Sequence, residues 1–124
     1  MIKKVAFTMY PVVDLARARD FYENTLGIKV SNVYEHEHGS WVEYDLPQGG
    51  CFAITTLMQG VTPSTTSGGC VAFEVEDLDA ALEDLKSKNI KIVMDKLITP
   101  GVCSLAVILD SEGNGITLHQ LKRK

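Results

Sequence analysis

The 124 residues suffice for one compact domain, burying roughly 65% of the surface the unfolded chain exposes, and argue against a second independent core. Hydrophobic residues at 45% and charged residues at 23% exclude a disordered or fibrous chain. Twelve Lys and Arg against 16 Asp and Glu give a net charge of -4, which argues against nucleic acid as a partner; the one basic cluster, Lys122-Arg123-Lys124, reads as a solvated tail.

No stretch approaches the roughly 18 consecutive apolar residues of a membrane span. The run from Val5 to Val13 is broken by Thr8 and Pro11 and ends too polar for a signal peptide. No membrane partner is expected, and the location is read as cytoplasmic. Cys51, Cys70 and Cys103 are odd in number and widely spaced in apolar runs, which predicts reduced, buried thiols. No C-x-x-C pair is present, so cysteine gives no zinc site.

In chain order, Lys4 to Val12 is a dense apolar run with strand composition, expected to be covered on both faces. Asp14 is placed to cap a helix, because its carboxylate can accept the free N–H groups of the first turn. Leu15, Ala18, Phe21 or Tyr22, and Leu26 follow at helical spacing, and Gly27 ends the helix. Ile28 to Tyr34 predicts a second strand, Glu35 to Gly39 a turn, Ser40 to Tyr44 a third strand, and Cys51 to Leu57 a fourth. Residues 58–69 are rich in Gly, Ser, Thr and Pro and read as a linker.

The order then repeats. Cys70 to Val75 is a strand, Asp77 a cap, and Leu78, Ala81, Leu82 and Leu85 a helical stripe, with Asn89 as the stop. Lys91 to Met94 predicts a short strand and 96–103 an irregular loop around Pro100-Gly101. Ser104 to Leu109 and Gly115 to Leu121 are strands joined by Asp110-Ser111-Glu112-Gly113-Asn114. The chain is therefore one α+β domain over 1–124, with a βαβββ unit at 1–57, the linker at 58–69, and a second βαβββ unit at 70–124.

The segment VVDLARARDFYENTLGI, Val12 to Ile28, together with the DSEGN turn at Asp110 to Asn114, resembles the vicinal oxygen chelate superfamily. That family includes glyoxalase I, the extradiol dioxygenases and the bleomycin resistance proteins. Here Ser111 replaces the proline usual in the turn. The resemblance implies an incomplete eight-stranded barrel of two units around a central pocket, with the helices outside. It also implies a homodimer, and, in the enzymes, a divalent metal held by His or Glu side chains on the first and last strands of each unit.

At those positions this chain has Phe7, Cys70 and Thr117, with Phe52 or Ile54 on the fourth strand depending on a two-residue alignment shift. One thiol, one hydroxyl and apolar side chains make a poor site for a hard cation, so neither a metal nor another cofactor is expected. Phe52, Ile54 and Phe7 are equally well read as core or as pocket lining. The expected ligand-binding set is Phe7, Met9, Trp41, Phe52, Ile54, Cys70 and Thr117.

Among the histidines, His36-x-His38 falls in a predicted hairpin and reads as solvated. His119 shares a strand face with Thr117, and Glu74 shares one with Cys70. Glu74 and His119 are the candidate catalytic pair, suited to moving a proton.

These residues imply a metal-free protein of the bleomycin-resistance type that binds a small apolar or aromatic molecule. Two alternatives stay open. One is an enzyme of the same superfamily, either a metal-dependent lyase or dioxygenase with displaced ligands or a metal-free isomerase using Glu74 and His119. The other is a regulatory or interaction subunit with a filled core.

Overall fold

The computed structural model describes residues 1–122, so Arg123 and Lys124 of the expected tail lie outside the described residues. The chain divides into two compact units, Met1–Pro63 and Ser64–Lys124. Each is a four-stranded sheet with a helical segment against one face.

The first unit contains β1 (Thr8–Pro11), α1 (Leu15–Asp20) continuing into a wider turn (Phe21–Thr25), β2 (Val30–His36), β3 (Gly39–Asp45) and β4 (Cys51–Thr55). Its strand order is β1-β4-β3-β2, with β1 parallel to β4 and the other pairs antiparallel. Asp14 caps α1 as expected, accepting the N–H of Arg17 at 3.0 Å. After Asp20 the repeat widens: Leu26 N–H reaches the Phe21 carbonyl five residues back. That extra residue per turn brings neighbours Phe21 and Tyr22 both into the core, at 3% and 0% exposure, where the periodic pattern predicted one or the other. Gly27 then leaves the helix at φ 72°, the left-handed conformation that glycine adopts at least cost.

Tyr22 is the centre of an aromatic core. Its ring lies 5.1 Å from Phe52 and 6.1 Å from Tyr44, and Tyr10 meets Phe52 edge-on at 5.3 Å. Glycine matters sterically at Gly39, after the two-residue turn at Glu37-His38. A Cβ there would come within 2.8 Å of Thr56 Oγ1 and 3.0 Å of its backbone.

The second unit contains β5 (Val71–Glu74), α2 (Leu78–Ser87), β6 (Ile92–Thr99), β7 (Cys103–Leu109) and β8 (Gly115–Leu121), in the order β5-β8-β7-β6. Asp77 caps α2 by accepting the Ala80 N–H, and Leu78, Leu82 and Leu85 are buried. Burial of each contributes about 1.5–3 kcal/mol. Asn89 ends the segment at φ 60°, the left-handed stop expected from its position.

Two expectations are corrected here. Strand β1 covers only Thr8–Pro11 and sits at the sheet edge, with Val5 and Phe7 exposed, so the run from Lys4 is not covered on both faces. Residues 96–99 belong to β6 rather than to a loop, because Leu97, Ile98 and Thr99 pair with Leu105, Ser104 and Cys103. Pro100-Gly101 makes only the turn.

The DSEGN turn is held by Asp110. Its Oδ1 accepts the N–H groups of Glu112 and Asn114, both at 2.8 Å, and its Oδ2 accepts Asn114 Nδ2 at 2.9 Å. Asn114 Oδ1 accepts the Ser64 N–H at 3.1 Å. These bonds supply the order that the missing proline would otherwise give.

Candidate functional site

Strand register assigns the candidate residues within the strands to a face, and the contacts of Phe7 with Trp41 and of Cys70 with Thr117 place the two that precede their strands. In the first sheet, Tyr10 and Ile54, Phe52 and Tyr44, and Val42 and Ile54 are paired, which puts all of them on the side covered by Tyr22. The intervening positions point to the opposite face: Met9 on β1, Ala53 on β4, and Trp41 and Glu43 on β3.

The candidate ligand residues therefore divide. Phe7, Met9 and Trp41 come together on the face opposite the helix. Phe52 and Ile54, at 1% and 0% exposure, lie under the helix as core, and their expected place beside Phe7 and Trp41 is corrected. The two-residue alignment shift weighed for β4 moves from Phe52 to Ile54 without changing face. The odd-numbered residues Cys51, Ala53 and Thr55 are the ones on the far side.

Phe7 and Trp41 meet edge-on with ring centroids 5.0 Å apart, and Phe7 keeps 46% of its surface exposed. Ala53, on the same face of the intervening strand, is fully buried; its small side chain leaves room for larger groups beside it. Trp41 donates its indole N–H to Glu43 Oε2 at 3.0 Å, and Asn32 Nδ2 contacts Glu43 Oε1 at 3.5 Å. Tyr34 is the cross-strand partner of Trp41 and is half exposed. Glu43 and Tyr34 escaped the sequence reading. The signal was available: Trp41-x-Glu43 puts both side chains on one strand face, and the hairpin at Glu37-His38 fixes Tyr34 opposite Trp41.

On the helix side, Glu23 accepts Arg19 Nε at 2.7 Å and the Tyr44 hydroxyl at 2.9 Å. The bond from Arg19 holds the Glu23 carboxyl below the usual range against the opposing effect of burial, with Tyr44 adding to the lowering. Burial, and then the bond to Glu23, push the Tyr44 phenol well above its ordinary value. Burial, followed by the carboxylates of Glu43 and Asp45, raises the Cys51 thiol.

In the second sheet, Phe73, Ile116, Leu118, Ala106 and Ile108 are buried on the helix side. Cys70, Glu74, Thr117 and His119 lie together on the other face. Cys70 Sγ is 3.2 Å from Thr117 Oγ1, and His119 Nδ1 is 2.5 Å from Glu74 Oε1. Glu74 Oε2 also accepts the Leu121 N–H at 2.7 Å. Desolvation raises the Glu74 carboxyl, but the bonds from His119 and Leu121 outweigh it and leave the group below its ordinary value. All three cysteines are free thiols, as expected, but Cys70 is exposed and the other two are only partly covered. Cys70 departs from the expected burial because it precedes β5 on the helix-free face. His36 and His38 are exposed at the β2–β3 hairpin.

The metal positions implied by the resemblance hold a phenyl ring at Phe7, a thiol at Cys70 and a hydroxyl at Thr117, the last two bonded to each other. Among the described residues no three His, Cys, Asp or Glu side chains gather as a metal centre. This donor set does not fit a hard divalent cation with an open coordination position.

No curated protein sequence matches the chain. Solved structures match closely in fold. An antibiotic binding protein, TnmS3 from Streptomyces sp. CB03234, aligns with a TM-score of 0.80 at 23% identity, covering 98% of each chain. A superfamily member from Sphaerobacter thermophilus aligns at 0.79 and 22% identity, covering 96% of this chain and 98% of its own. The trypanothione-dependent glyoxalase I of Leishmania major aligns at 0.76 and 23%, covering 96% of this chain and 87% of its own. The sequence profile of one family matches residues 4–118, nearly the whole chain. The repeated strand-helix-three-strand order and that match agree: the chain belongs to the Glyoxalase/Bleomycin resistance protein/Dioxygenase superfamily.

Proposed function

We propose that the chain binds a small apolar or aromatic molecule, without a metal, against the helix-free face of the first sheet. The observation that carries this reading is the Phe7–Trp41 pair, Phe7 exposed and Trp41 half-buried, on the sheet face that also carries Met9, Tyr34 and the Glu43 carboxylate. A lone exposed apolar side chain needs no explanation, but adjoining aromatic groups on one sheet face are a binding surface in search of a partner. The fold of an antibiotic binding protein, shared by this chain, is consistent with the reading. The net charge of -4 keeps nucleic acid out of it. A cytoplasmic homodimer is part of the same proposal, supported by free thiols and by the exposed apolar edge residues Leu97 and Ile98. Among the described residues no helix is long and apolar enough to cross a membrane.

A thermal-shift screen of aromatic metabolites and drugs tests the proposal. A ligand at 100 times its Kd adds about 2.7 kcal/mol to the folded state. The expected result is stabilisation of the wild-type chain that is lost in Phe7→Ala. Silence across a broad screen would favour the regulatory reading instead. Stoichiometric zinc, nickel, manganese or iron in protein purified without chelator would contradict the metal-free part, and a light-scattering mass of one chain would contradict the dimer.

A further inference from the structure

The second sheet carries a different arrangement, which the binding proposal leaves unused. Parallel pairing of β5 with β8 sets Glu74 directly beside His119, and the pair forms the 2.5 Å contact between Oε1 and Nδ1. The second carboxylate oxygen is occupied by the Leu121 N–H at 2.7 Å, so the carboxylate is fixed at both ends. A carboxylate can only accept, so Nδ1 carries the proton and Nε2 of the neutral ring keeps its lone pair. The imidazole is partly exposed, with 27% of the side-chain surface accessible. Leu105 is its cross-strand neighbour on β7, and Val107 holds the same place beside Thr117. Thr117 stands about 7 Å away along the same face, two residues back on the strand. Either the Cys70 thiol or the Thr117 hydroxyl can donate in their 3.2 Å contact; when the thiol donates, the hydroxyl proton is left for another acceptor.

We infer that Glu74 and His119 form a metal-independent proton-transfer site, with His119 Nε2 as the base, for an uncharged apolar carbonyl compound bearing a weakly acidic C–H. His119 Nε2 takes the α-proton, and the C–H electron pair moves into the carbonyl to give an enolate. The enolate oxygen accepts the Thr117 hydroxyl proton in a hydrogen bond. The imidazolium, stabilised by Glu74, returns its proton on the face from which it was taken, to the γ-carbon of a β,γ-unsaturated carbonyl compound. The result is isomerisation of the double bond into conjugation, with no oxidant, reductant or co-reactant. His119 is the catalytic residue, and Glu74 acts through it as a positioning residue. The site and the aromatic face of the first sheet share no residue, so each proposal stands or fails alone.

Nitrobenzisoxazole is a suitable probe, because one base suffices: removal of its C–H drives the electron pair into a nitrile and breaks the N–O bond, releasing a coloured phenolate. The wild-type chain is expected to open it with saturation, and His119→Ala to lower kcat by about 100-fold, the usual contribution of a placed base. His36→Ala should leave the rate unchanged. Glu74→Ala should lower kcat with little effect on KM and shift the nitrogen NMR signals of His119 from the Nδ1–H toward the Nε2–H tautomer, while Glu74→Asp recovers part of the rate. His119→Gln, which retains a donor for Glu74, serves as the folded control and should be as slow as His119→Ala. Equal rates in wild type and both His119 variants, including no rate above buffer in any of them, would overturn the inference. An unchanged His119 tautomer in Glu74→Ala would overturn the role of Glu74.

Discussion

The two units use one strand order and one helix placement, yet they present different chemistry on the face turned away from the helix. The first sheet offers Phe7, Met9 and Trp41, with the carboxylates of Glu43 and Asp45. The second offers Glu74 bonded to His119, and Cys70 beside Thr117. Their helix-facing sides are closely similar in character: Tyr10, Val42, Phe52 and Ile54 in one, Phe73, Ala106, Ile108, Ile116 and Leu118 in the other, all buried. Burial against the helix constrains one side of each sheet to apolar residues, while the opposite side is free to diverge without cost to the fold.

Substitutions on the two sides of one sheet sharpen this contrast most. Phe52→Ala is expected to cost about 3–5 kcal/mol in urea denaturation, because it opens a cavity beneath Tyr22. Phe7→Ala, at a half-exposed position, should cost less than about 1 kcal/mol. If Phe52→Ala were equally mild, the division of the two faces would be wrong.

Asp110→Ala comes next. It leaves two turn N–H groups and the Asn114 amide without their acceptor, and should lower stability by about 2–3 kcal/mol. The first unit has no counterpart to this buried carboxylate among its described turns, so hydrogen exchange in Asp110→Ala should quicken in β7 and β8 before it does in β3 and β4.

A smaller effect is expected at Tyr44, where Tyr44→Phe removes the hydroxyl bonded to Glu23 and should cost about 1 kcal/mol. The same cluster gives a pH dependence. The folded Glu23 carboxyl lies below its ordinary value of 4.5, chiefly through Arg19. The stability it contributes is therefore complete above pH 4.5 and is lost as the pH falls through the folded value. Urea midpoints should decline on acidification below that pH, and Glu23→Gln should flatten the decline. A midpoint that rises on acidification would contradict the sign. Glu74 in the second unit is shifted in the same direction, so Glu74→Gln should flatten the decline further.

Much of the fold was legible because it rests on local signals. Asp14 and Asp77 are caps with free first-turn N–H groups to satisfy, and Gly27 and Asn89 stop their segments in the left-handed conformation. The wider turn at Phe21–Thr25 was not legible, since a single inserted residue leaves the apolar spacing readable as ordinary helix. The extension of β6 was hidden by Pro100, which marks the turn but not where pairing with β7 begins.

The candidate site was legible by residue type and less so by face. Strand periodicity put His119 on the face of Thr117 and Glu74 on that of Cys70, and the family resemblance brought those two positions to one site; the register then sets Glu74 beside His119. Phe52 and Ile54 read equally well as core or as pocket lining, and the two-residue shift weighed for β4 keeps the same face and so could not decide between them. Parity, which decides between core and open face, depends on pairing with β1 and β3 rather than on the strand's own composition.

The central claim is that the Phe7–Trp41 face binds an apolar aromatic molecule without a metal. Trp41 is the chain's single tryptophan, so its emission reports on that face. The most direct measurement is a titration of the wild-type chain and Phe7→Ala with the uncharged dye N-phenylnaphthylamine, in the presence of EDTA, following quenching of Trp41 as the dye's own emission rises. Saturable quenching in the wild type, unaffected by EDTA and weakened at least about tenfold in Phe7→Ala, is the predicted result, tenfold corresponding to about 1.4 kcal/mol of lost contact. Binding that disappears with EDTA, or that is identical in Phe7→Ala, would contradict it.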